Sequence, residues 1–127
     1  MASREIVAEW VEVAKEDLEL AEHLINEGWF YRAAVSHLPQ AVEKYTKAFL
    51  ISSGWELRKI HDLETLLDEA AKRDAKLKKY ISLGRCLTAH YTESRYPPLD
   101  EEPPSKKEAE KLLKETMQFV EEIEKIM

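Results

Sequence analysis

Glycine is scarce in this chain, with three in 127 residues. That leaves few places for the two-residue hairpins that depend on positive φ, so helices are the natural expectation. Cysteine is scarcer still. The single Cys86 cannot close an internal disulfide, and with four scattered histidines it offers no pair of ligands at metal-binding spacing, so neither a structural metal nor a cofactor is expected. No run of eighteen apolar residues occurs, as a membrane-spanning helix would need. The N-terminal "MASREIVAEW" carries acidic residues where a signal peptide would have a basic start and an apolar segment, so the chain reads as cytoplasmic.

What is present is a soluble, globular composition, 44% hydrophobic and 35% charged, in a length that fits one domain over residues 1–127. The net charge of −6 argues against nucleic-acid binding through the whole surface, because that mode needs many cations to release counterions from phosphate. Its distribution is uneven. Residues 1–30 carry a net −6, residues 31–96 a net +4 and residues 97–127 a net −4, so any anion should meet the middle third.

Apolar residues recur at three- and four-residue intervals along most of the chain. The first stripe runs from Ile6 and Trp10 to Leu24 and Ile25, with Ser3 as N-cap, and breaks at Gly28. A second runs from Tyr31 to Phe49 and ends near Gly54; Pro39 inside it should kink or restart the helix. A third covers Asp62 to Arg73. The fourth takes Leu77, Tyr80, Ile81, Leu87 and Tyr91 and must stop before Pro97. The last starts at Ser105, whose capping-box partner is Glu108, and buries Ala109, Leu112, Leu113, Thr116, Val120 and Ile123. The acidic, proline-rich "YPPLDEEPPS" between the last two reads as a loop. Nothing reads as a strand, and the pattern implies an all-α, up-and-down antiparallel bundle of four to five helices.

"YRAAVSHLPQAVEKYTKAFL" resembles the second helix of the HEPN domains, with Gln40, Ala41, Glu43, Lys44, Lys47 and Ala48 at that family's positions. The resemblance extends to Trp10, Ala14, Asp17, Leu18 and Ala21 in the first helix, to "HDL" at His61, and to Tyr91 with Arg95, Tyr96 and Pro97. It covers the whole chain and departs at Pro39, where a glutamine is usual. It implies a helical bundle that commonly forms a homodimer and works with a minimal nucleotidyltransferase, in toxin–antitoxin fashion. Some members are metal-independent ribonucleases, and others bind nucleotide or RNA without cleaving it.

The ribonuclease branch is marked by an arginine and a histidine with four to six residues between them, and Arg85 and His90, with four between, satisfy that count. The chemistry is reasonable: an imidazole can move a proton at a ribose oxygen while a guanidinium pairs with phosphate oxygens. Yet a separation of five places the two about 140° apart around a regular helix, so they converge only at a helix end, a bulge or a subunit seam. The polar residue expected after the arginine is Cys86, and the tyrosine expected two places beyond the histidine is Thr92. An exposed Arg85 and a partly buried His90 form the plainer reading.

Tyr91, Arg95 and Tyr96 are the alternative nucleotide- or RNA-binding set, although Arg95 also suits a helix C-terminus and Tyr96 a core cover. Lys44 and Lys47 share a helical face and could meet phosphate; Glu43 beside them favours a salt-bridged face. His61 could touch a nucleotide or simply start the third helix. "KRDAKLKK", from Lys72 to Lys79, reads as a solvated turn. Three functions follow: a phosphate-binding module with a nucleotidyltransferase partner, an endoribonuclease toxin using Arg85 and His90, or a non-catalytic protein scaffold.

Overall fold

In the computed structural model, residues 4–56, 58–60, 62–95 and 104–127 are described, with 91–95 as backbone only. Five α-helices account for most of them: α1 (Arg4–Glu27), α2 (Tyr31–Ser52), α3 (Leu63–Arg73), α4 (Ile81–Arg95) and α5 (Lys106–Ile126). A 3-10 helix, Ala75–Tyr80, leads into α4. Among the described residues there is no strand, and the chain is an all-α, up-and-down bundle.

The first two helices end in the same way. Gly28 takes φ 80° and its N–H donates to the Ile25 carbonyl, while the Trp29 N–H reaches back to the Leu24 carbonyl. Gly54, at φ 94°, repeats this with Ile51, and Trp55 with Leu50. These paired bonds satisfy carbonyls that a helix end leaves open, and they need a left-handed residue that glycine supplies without a Cβ clash. The tight reversal at residues 28–30 folds α1 back on α2. Their partners recede from the turn in step, Asp17 meeting Lys44 and Trp10 meeting Lys47, as an antiparallel hairpin requires.

Pro39 is buried within α2, and the helix passes through it without a break. The expected restart does not occur. Proline leaves the carbonyl four residues earlier without its usual donor. One residue further on, the Gln40 side chain donates to the Ser36 carbonyl at 3.3 Å, adding a bond where the ladder is disturbed.

Asp62 caps α3 by accepting from the Glu64 N–H, and Asp74 caps the 3-10 helix by accepting from the Lys76 N–H. The basic stretch read as a turn is therefore the end of α3 plus a helical segment, whose Leu77 and Tyr80 are buried. Ser105 caps α5 through the Glu108 N–H at 3.1 Å, as its sequence indicates. The expected α5 stripe is buried, and Phe119, on the same face, is buried with it.

α2 is the central helix; its buried residues run from Ala34 to Ile51 and pack into one core with residues of the other four helices. Leu38, Leu50, Leu66, Leu67, Leu77 and Leu87 are fully buried, each worth about 1.5–3 kcal/mol relative to exposure. α4 approaches α3 closely at Gly84, where an added Cβ would come within 2.6 Å of Leu67 Cδ1. That contact fixes Arg85, the next residue, beside α3.

Candidate functional site

The cation-rich middle third comprises α2 and the corner where α3, the 3-10 helix and α4 meet. On the outer side of that corner Arg85 donates from Nε to Glu64 Oε1 at 2.9 Å, and Nη2 stands 2.8 Å from the same oxygen. Both side chains are well exposed, at 64% and 47%, so water competes for the pair. The Glu64 hydrogen bond, and then its charge, push the Arg85 pKa up, which keeps the guanidinium a permanent cation.

His90 lies half-buried on the same helix. Because α4 continues unbroken from Ile81 to Arg95, neither a helix end nor a bulge draws it toward Arg85. The two stand about 140° apart around the axis and roughly 7.5 Å apart along it. A regular helix thus sets them on different faces of α4. Cys86, one turn before His90 and on its side of the helix, lies within reach of the charges of Glu108, Lys111 and Glu115 on α5. The residue is exposed overall, while partial burial and then Glu115 push its thiol pKa up against a smaller opposing effect of Lys111.

The two α2 lysines turn inward. Lys44 Nζ donates to Asp17 Oδ2 at 2.6 Å, and the other oxygen of that carboxylate is 3.0 Å from His37 Nδ1. Lys47 is 2% exposed; its Nζ lies 3.0 Å from Glu43 Oε2 and 5.4 Å from the centre of the Trp10 ring. These cations join α1 to α2. The cluster of Asp17 and His37 was not among the sequence candidates: its members are twenty residues apart, and only the hairpin register brings them together. Of the other candidates, the side chains of Tyr91 and Arg95, and all of Tyr96 and His61, lie outside the described residues.

A second feature missed by sequence reasoning is an open groove of about 750 Å³ between the 3-10 helix, α4 and α5. In it the Tyr80 hydroxyl donates to Glu122, and Lys79 Nζ lies 3.1 Å from Glu122 Oε2. Burial, then that hydrogen bond, push the Tyr80 phenol up to about 12. The Glu122 carboxyl is held below its ordinary value, first by Tyr80 and then by Lys79. With Glu115 and Glu121 also lining it, the groove balances its lysines and has no net attraction for phosphate. Among the described residues no cluster of His, Cys, Asp and Glu could hold a metal ion, and no helix is long and apolar enough to cross a membrane.

A family model for the HEPN domain matches residues 7–126, nearly the whole chain. The chain belongs to the HEPN family. The crystal structure of an archaeal HEPN homologue is similar to it at 25% identity, covering 93% of this chain and 94% of that one with a TM-score of 0.71. Among curated proteins, none matches the chain significantly. In this HEPN chain the arginine and histidine at family spacing therefore sit on a regular helix, and its two motif lysines support the α1–α2 hairpin.

Proposed function

We propose that this HEPN domain, spanning residues 1–127, binds nucleotide or RNA phosphate through its α3–α4 corner. It acts in the cytoplasm as a homodimer, with a minimal nucleotidyltransferase partner, in a toxin–antitoxin pair. One observation carries the phosphate reading: Arg85 is a permanent cation, largely exposed and held by one exposed carboxylate that a phosphate can replace. Exposed Lys78, on the 3-10 helix that leads into α4, adds a further cation to this segment. Lys44 and Lys47 take no part, since their ammonium groups are committed to Asp17 and Glu43.

Fluorescence anisotropy with labelled single-stranded RNA, and with ATP as competitor, tests this reading. Saturable binding should weaken with salt, and Arg85→Ala should weaken it further while reducing the salt slope by about 1. Absence of saturable binding would leave the scaffold reading instead. A nucleotidyltransferase signature in the adjacent reading frame supports the partner assignment, and failure of the two purified proteins to associate opposes it.

The ribonuclease reading takes a specific form. With Arg85 and His90 on different sides of an unbroken α4, a catalytic pair would be completed by a second copy, one chain supplying the phosphate stabiliser and the other the acid or base. Cleavage of labelled RNA in chelator, lost separately in Arg85→Ala and His90→Ala and restored by mixing those two variants, would be its signature. Equal inertness of wild type and variants excludes it.

A further inference from the structure

One face of α1 is neither core nor ordinary solvent surface. Ile6, Val13 and Leu20 are 46%, 42% and 43% exposed and succeed one another at seven-residue intervals. At that spacing side chains drift only about 20° per step around the helix, so the three form a ridge almost parallel to its axis. Beyond it lie Trp29 and Phe30, 60% and 72% exposed, tethered to the end of α1 by the Trp29–Leu24 backbone bond. Phe30 holds a left-handed φ of 50°, an unfavourable conformation for an aromatic residue. Beside the middle of the ridge a hollow of about 300 Å³ is lined by Glu9, Trp10, Val13 and Lys44. Apolar knobs in line, with a hole between them and α2, fit a helix lying along α1.

The flanks specify its chemistry. Glu9 at the rim of the hollow, and Glu12, Glu16 and Glu19 on the side away from α2, are all exposed. On the side toward α2 the cations of Lys44 and Lys47 are already taken by Asp17 and Glu43. A second copy packed antiparallel on a twofold axis would set this glutamate row against itself. Packed parallel, it would set the row against lysines that are neutralised. A foreign helix with lysine or arginine beside its apolar stripe meets neither difficulty.

We infer that the α1 ridge docks an amphipathic helix of a partner protein, with apolar side chains at heptad spacing and a basic flank. This surface is separate from the Arg85 corner and does not rest on phosphate binding.

The test uses three labelled synthetic peptides in anisotropy titrations against the full chain: leucines at heptad spacing flanked by lysine, the same leucines flanked by glutamate, and a scramble of the lysine peptide. The lysine peptide should bind saturably and about tenfold more tightly than either control. Val13→Ser with Leu20→Ser should weaken it about tenfold, and Glu9→Gln with Glu12→Gln and Glu16→Gln should weaken it and flatten its salt dependence. All five positions are exposed, and circular dichroism checks that each variant remains folded. Equal binding of the three peptides, or unchanged binding by the Val13→Ser, Leu20→Ser variant, overturns the inference. So does sedimentation showing a wild-type dimer that this same double variant turns into monomer, because the occupant would then be a second copy.

Discussion

Two helix ends in this molecule share a sequence and a hydrogen-bond pattern but not a fate. Both α1 and α2 close with glycine in the left-handed region followed by tryptophan bonding back to the last turn. Trp55 then turns into the core and is 7% exposed, with the Arg58 guanidinium 5.9 Å from its ring centre. Trp29 stays outside, against Phe30 at a ring separation of 6.3 Å. Local physics sets the turn, while tertiary packing decides what the tryptophan does. A hydrophobic side chain left out of such a motif stabilises nothing within the chain and is available to something else.

Trp55 offers the largest way to sharpen this contrast. Trp55→Ala should lower unfolding free energy by about 3–5 kcal/mol, read from the urea midpoint, because a buried indole leaves a cavity that the core cannot close.

Next comes a second inside-outside pair, Lys47 and Arg85. Lys47→Ala removes a sheltered ammonium from Glu43 and a buried stem from Trp10; discounted for the partly exposed carboxylate, the loss should be about 2–3 kcal/mol. Arg85→Ala should leave the urea midpoint unchanged, since water already competes for its pair with Glu64. An equal loss in both variants would break the distinction between a structural and an available cation.

The glycines come third. An added Cβ at Gly54 would meet nothing within 4 Å, and at Gly28 only the Tyr31 hydroxyl at 3.6 Å, so space is not limiting at either. The cost is conformational, about 1–2 kcal/mol for Gly→Ala at positive φ. It should be nearly equal at the two sites although their tryptophans differ. A much larger loss at Gly54 would mean that Trp55 burial and the turn are coupled.

The same division runs through what the sequence could disclose. The α5 cap was legible because Ser105 and Glu108 are three residues apart, and the α3 stripe because helical spacing is local. Continuity of α2 through Pro39 was not, since it depends on how the surrounding helices hold a buried segment. Nor were the Asp17–His37–Lys44 cluster and the Arg85–Glu64 pair, whose partners lie twenty or more residues apart. Arg85 and His90 were legible as a motif. Their separation around α4 was also computable in advance, but that the helix stays regular between them was a matter for the structure.

Trp29 gives the smallest effect on stability and the sharpest information. Trp29→Ala removes a side chain 60% exposed while leaving the turn's backbone bonds, its own N–H to Leu24 among them, in place, so stability should change by no more than about 0.5 kcal/mol. If the α1 ridge extends to this tip, the same variant should weaken the lysine-flanked helical peptide severalfold while leaving RNA binding at the Arg85 corner untouched. A drop in stability comparable to that of Trp55→Ala would place Trp29 with the core, and the two helix ends would differ only in how much of a packed ring is left showing.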